Sequence, residues 1–173
     1  MEATEYLAFL PLFIYGIALA DLFREWKRFL NLKEIFLPYL IVTIILTETA
    51  LYNVFAFAGL LENLKGQTYS SYLLYLAPPF LFMLATSFFT PEENSDTEGY
   101  FMKNMPVFLT FFALFTASHF LYDFNEPTIF IGIRLFSLVY ILLTGILRKK
   151  WMVYLLGVIW FFSLFVKSGM ITT

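Results

Sequence analysis

The sequence predicts an all-α membrane protein, a bundle of six transmembrane helices with the N-terminus and C-terminus both outside. Three observations predict it. The chain is 60% hydrophobic and 14% charged, with a mean hydropathy of +0.76, whereas soluble domains average about 45–50% apolar and about 25% charged. Six apolar runs approach the ~20 residues that a helix needs to cross a ~30 Å hydrocarbon core. Lys and Arg collect in alternate connections between those runs, the asymmetry that orients membrane chains. A soluble fold of this size has nowhere to hide so much apolar surface, because even a ~150-residue domain buries only about 70% of its unfolded area. The 23 Phe side chains are costly in water and at ease against acyl chains.

Backbone groups in hydrocarbon must be paired within their own segment, so each run is expected to be a helix. The runs are about 5–23, 35–61, 70–90, 104–123, 127–147 and 151–168. The first follows MEATEYLAF, which has acids where a secretory leader carries Lys or Arg, and no small-residue cleavage site comes after it; it reads as a retained helix containing Pro11. The second has Pro38 in its first turn, where a missing N–H costs little. The third carries Pro78 and Pro79 near its middle. Two lost donors predict a kink there, read either as a shape-setting bend or as a gate or carbonyl-lined site. The fourth is expected to start just before Pro106, again in a first turn. The fifth and sixth are separated only by RKK. PLFIYGIAL (11–19) and PVFLTFFAL (106–114) share Pro, Phe, Ala and Leu at matching offsets. Their helices run in opposite directions, a pattern that fits two inverted three-helix halves. No connection is long enough for a soluble domain, so 1–173 reads as one unit.

The first connection carries Arg24, Lys27, Arg28 and Lys33, the third Lys103, and the fifth Arg148, Lys149 and Lys150. The opposite side has Lys65 and Lys167. The odd connections are therefore expected on the cytoplasmic side, of a bacterial inner membrane or its equivalent. Trp26, Tyr39, Tyr100 and Trp151 gather at the same edge, where amphipathic rings prefer to sit. The basic, aromatic stretch DLFREWKRFLNLK (21–33) has two readings: it sets topology, or Arg24, Lys27 and Arg28 contact anionic headgroups of the inner leaflet. The lipid bilayer is the expected partner. A net charge of −2 gives no reason to expect nucleic acid. Six short spans make a thin bundle that a second copy or a partner membrane subunit would thicken.

Ionisable groups inside a membrane are costly and usually face the bundle interior. Here they are Asp21, Glu48, His119, Asp123 and Arg134, with Asn53 beside them. Asp21 lies one turn before Arg24, the spacing of an interfacial salt bridge. Glu48 sits in the middle of its run. On a helix Tyr52 lies about 40° from it, Thr49 about 100° and Asn53 about 140°, one broad polar sector. An ionised Glu48 would bind a cation or pair with Arg134; a neutral one would load and release protons; a third reading is a protonated carboxyl that glues helices together. Thr116, His119 and Asp123 share a helix face. A histidine and an aspartate one turn apart suit proton transfer or a structural hydrogen bond. They fall short of the three or four ligands a metal site wants, so no metal and no cofactor is expected. Arg134 lies roughly 10 Å into its run and either snorkels outward or pairs with Glu48, Asp123 or Glu126. Glu48, Tyr52, Asn53, His119, Asp123 and Arg134 all fall in the outer half, and their convergence into a substrate or ion site is the central expectation.

The chain has no cysteine, which removes thiolate chemistry and disulfides. No H-E-x-x-H, G-x-S-x-G or phosphate-binding glycine loop is present. FTASHFLY (115–122) resembles the FxxSHxLY helix of small intramembrane lysoplasmalogenases. That family also has a Gly-Asp pair on the preceding helix and more spans, neither of which is found here. The resemblance implies a lipid hydrolase using His119 and a carboxylate. The residues themselves point first to a small transporter or channel-like protein with a proton- or cation-linked polar site, and second to a non-catalytic accessory or scaffold subunit.

Overall fold

The computed structural model describes residues 3–30, 35–60, 68–92, 95–121 and 128–167, with side chains described for 9–30, 35–56, 68–92, 95–121 and 131–164. Among these residues the protein is all-helical. Its six α-helices are α1 (Ala3–Trp26), α2 (Leu37–Leu60), α3 (Tyr69–Phe89), α4 (Thr97–Ser118), α5 (Thr128–Leu147) and α6 (Lys150–Lys167). Short 3-10 turns follow α1 at Lys27–Leu30 and α4 at His119–Leu121.

The ends of these helices follow from local chemistry. Thr68 caps α3, its hydroxyl accepting from the Ser71 N–H at 3.3 Å, and α3 stops at Thr90, before Pro91. Asp96 caps α4, its carboxylate accepting from the Glu98 N–H at 3.2 Å. Each such cap satisfies a donor that the first turn would otherwise leave orphaned. The Asp96 cap starts α4 before its apolar run begins, so Pro106 lies well inside the helix and not in a first turn. The capped turn outweighs the polarity of the charged segment that follows it. Arg148 adopts a left-handed backbone (φ 51°) in the tight connection between α5 and α6, a conformation that strains a residue with a side chain by ~1 kcal/mol or more.

Three helical segments among the described residues are long and apolar enough to cross a membrane: Leu37–Ala56, Tyr69–Phe89 and Thr97–Leu121. Large apolar side chains also cover the outside of the bundle, including Phe9, Phe13, Phe55, Phe136, Ile146 and Phe162. Soluble monomers rarely expose contiguous apolar surface on this scale; a lipid-facing surface accounts for it.

The helices form a closed ring. Neighbours in order are α1, α3, α4, α5, α6 and α2, with α2 returning to α1; α2 also approaches α4 across the interior. The densest core lies at the end where α1 finishes and α2 begins. Tyr39, Phe89, Phe101 and Phe108 are fully buried there. The Tyr39 and Phe89 rings stack at 4.5 Å, and Phe108 meets Phe89 edge-on at 5.3 Å. Such ring pairs add about 0.5–1.5 kcal/mol each beyond the area they bury. Two glycines let helices approach closely. A Cβ at Gly145 would stand 3.2 Å from the Leu109 Cβ, and one at Gly157 only 2.8 Å from the Ile41 Cγ2. The second contact brings α6 against α2. α3 continues as one helix through Pro78 and Pro79, both buried; the prolines remove the helical donors for the Leu74 and Tyr75 carbonyls.

Threonines inside the helices bind their own backbone. Thr43, Thr47, Thr110, Thr116 and Thr144 each donate to the carbonyl one turn back, at 2.6–3.0 Å. Self-satisfaction of this kind lets a hydroxyl sit in an apolar setting without a partner helix.

Candidate functional site

The close approach at Gly157 positions a polar contact between helices. One turn further along α6, the Trp160 indole N–H donates to Glu48 Oε2 on α2 at 3.0 Å. Glu48 is part-buried and has no ion pair among the described residues. Its expected alternative partner, Arg134, instead lies with its guanidinium carbon 5.4 Å from the centroid of the Phe120 ring.

A second contact links α2 to the end of α4. His119 Nε2 lies 3.0 Å from Asn53 Oδ1, and His119 Nδ1 lies 2.9 Å from the Phe115 carbonyl oxygen. Asn53 Nδ2 donates to the Thr49 carbonyl at 2.8 Å, and the imidazole also meets the Phe115 ring edge to face at 4.7 Å. The polar sector of α2 is thus divided. Glu48 turns towards α6, Asn53 turns towards α4, and Tyr52 is 42% exposed. Asp123 and Glu126 lie outside the described residues. Thr116 is engaged with its own helix, at the Phe112 carbonyl.

A third polar cluster, which sequence reasoning passed over, closes the basic end of the bundle. Glu25 is only 1% exposed. Its carboxylate accepts from the Tyr39 hydroxyl at 2.8 Å and pairs with Arg28 Nε at 2.6 Å. The Arg28 guanidinium continues to the Pro91 and Glu92 carbonyls at 3.3 and 2.9 Å, tying α1, α2 and the α3–α4 connection together. Arg24 approaches Asp21 at 3.6 Å, the pair that its spacing predicts, and Glu25 at 3.8 Å. Lys27 and Arg24 are exposed at this end. Lys150 and Glu98 pair across the same end of the bundle. The signal for Glu25 was its three-residue spacing to Arg28, hidden because REWKR reads as a connection and not as the end of a helix. Trp160 was missed because an indole in an apolar run reads as packing, although a buried indole N–H needs an acceptor.

Two further features bound the chemistry. Among the described residues no group of three or more His, Asp or Glu is placed to hold a metal ion. An open apolar cleft lies between α5 and α6, lined by Gly132, Ile133, Phe136, Val158, Ile159, Phe162 and Ser163; none of the polar contacts above lines it. No protein-family model, curated protein or solved structure matches this chain.

Proposed function

We propose that this chain is a six-span membrane protein that moves a proton or a small cation, with Glu48 as the ion-binding group and with both termini on the side opposite the basic connections. The observation that carries the reading is Glu48: a carboxylate in the middle of an apolar helix whose partner, among the described residues, is one neutral N–H donor. An ionised carboxylate at a helix centre in a bilayer costs ~2.5–3.5 kcal/mol or more. One hydrogen bond to a charged group returns about 1.5–3 kcal/mol. A proton or a cation supplies the remainder, and its arrival and departure are the elementary steps of transport. Trp160 holds the carboxylate in place between α2 and α6 in either state.

The test uses purified protein in sealed liposomes, with a pH-sensitive dye inside and gradients of H+, Na+ or K+ imposed in turn. Wild-type protein is expected to dissipate at least one of these gradients, and Glu48→Gln, which keeps an acceptor for Trp160, to slow that flux at least tenfold. Liposomes that hold every gradient with wild-type protein present would end the transport reading.

One set of contacts favours a second reading, a non-catalytic accessory or scaffold subunit. Three side-chain hydrogen bonds, Glu48–Trp160, Asn53–His119 and Trp26–Thr47, join different helices or their ends, which is how polar side chains hold bundles together. On that reading the isolated chain carries no flux, and Glu48→Gln lowers stability or assembly.

A further inference from the structure

The single histidine of the chain sits between two oxygen acceptors. Nδ1 faces the Phe115 carbonyl oxygen at 2.9 Å, and Nε2 faces Asn53 Oδ1 at 3.0 Å. The same Asn53 amide donates through Nδ2 to the Thr49 carbonyl at 2.8 Å. A neutral imidazole has one N–H and one lone pair, and a carbonyl oxygen has lone pairs alone. Either neutral tautomer therefore sets a ring lone pair against an oxygen lone pair at hydrogen-bond distance. Turning the amide over satisfies the ring but sets Oδ1 against the Thr49 carbonyl oxygen. The doubly protonated ring satisfies all three contacts at once.

We infer that His119 and Asn53 form a pH-gated clasp, closed when the ring is an imidazolium and opened when Nε2 loses its proton. The location suits a cation, since the Phe115 carbonyl belongs to the last turn of α4, the negative end of the helix dipole. Among the described residues, the titratable groups on the elements packed around this end of α4 are Glu48 and Tyr52 on α2, Tyr69, Tyr72 and Tyr75 on α3, and Arg134 on α5. Glu48 is engaged by Trp160, and Arg134 lies over Phe120. Histidine is the side chain whose charge changes near neutral pH without special perturbation. α2 touches α4 far less than it touches α1 or α6, so breaking this bond frees the two helices to separate across the interior. The clasp is a regulatory device that stands independently of what Glu48 carries.

The absence of cysteine makes the test direct. Phe55→Cys on α2 and Leu121→Cys beside His119 are exposed positions that take a pair of spin labels across the clasp. In lipid nanodiscs the label distance is followed between about pH 5 and pH 9, around the ~6.5 of free imidazole, alongside isotope-labelled nitrogen NMR of the one histidine. The expected result is a short, narrow distance while both ring nitrogens are protonated. It should lengthen or broaden with the same midpoint as Nε2 deprotonation. His119→Gln, which keeps a donor that does not titrate, holds the short distance throughout. Asn53→Leu, which removes the acceptor, gives the broad one throughout. A distance that stays constant across the histidine titration, a neutral ring coexisting with the short distance, or a pH step that persists in His119→Gln would each overturn the clasp. The step is expected to survive in Glu48→Gln, so failure of the transport reading and failure of the clasp are separate results.

Discussion

Glu48 is a part-buried carboxylate and Glu25 a fully buried one, and their partners give them different work. Glu25 has a phenol and a guanidinium, and its charge is matched where it stands. Removing it in Glu25→Ala takes the acceptor from the buried Tyr39 hydroxyl and leaves Arg28 with the Pro91 and Glu92 carbonyls in place of a charged partner, at an expected cost of about 1–3 kcal/mol. Thermal or detergent-induced unfolding of the purified protein measures this, and a cost below about 1 kcal/mol would show that Arg28 finds its own solution at the surface. Among the described residues, Glu48 has one neutral donor and nothing that balances a charge. Trp160→Phe keeps an aromatic ring and removes the N–H, with an expected loss of about 1–3 kcal/mol. Glu48→Gln retains an acceptor for the indole and should stay within about 1 kcal/mol of wild type while altering ion flux. That contrast between stability and flux separates an ion-binding group from packing glue.

At the scale of helices, the position of Trp160 depends on Gly157. α6 reaches α2 closely because Gly157 has no Cβ, which would stand 2.8 Å from the Ile41 Cγ2. Gly157→Ala should push the helices apart and cost about 1–3 kcal/mol by overpacking. Combining it with Ile41→Ala should recover part of that loss, a coupling that a double-mutant cycle reads directly. Much of the helical layout was legible in the sequence, because apolar runs bounded by turn formers carry it: the runs near 35–61 and 70–90 match α2 and α3 within two residues at each end. The start of α4 was not, because Asp96 caps a helix whose first turns are charged, and hydropathy sees only the run that follows. Partner choice was legible least of all. Periodicity places Glu48 and Asn53 on one broad sector, but which neighbouring helix each meets depends on the ring order of the helices, and that is settled by packing between distant segments. An indole N–H and an asparagine carbonyl leave no mark in a pattern of apolar and polar letters.

For the whole molecule, the ring has two unlike ends. The end carrying Glu25, Arg28 and Lys150 is closed by stacked aromatics and ion pairs, whereas towards the other end His119 and Asn53 meet in a hydrogen bond. Orientation in the membrane is open to a clean test, because the chain supplies no thiol of its own. Ser95→Cys should react with an impermeant maleimide from the cytoplasmic side and Thr68→Cys from the opposite side; the reverse pattern would invert the topology. The central claim is that Glu48 changes its bound state during function. Infrared difference spectroscopy of the protein in lipid, taken across a pH titration and with added Na+ or K+, reads this most directly through the carboxyl stretch. The account predicts a carboxyl band that converts to carboxylate as pH rises or a cation is added, and that vanishes in Glu48→Gln. A Glu48 band that stays unchanged under every one of these conditions would contradict it.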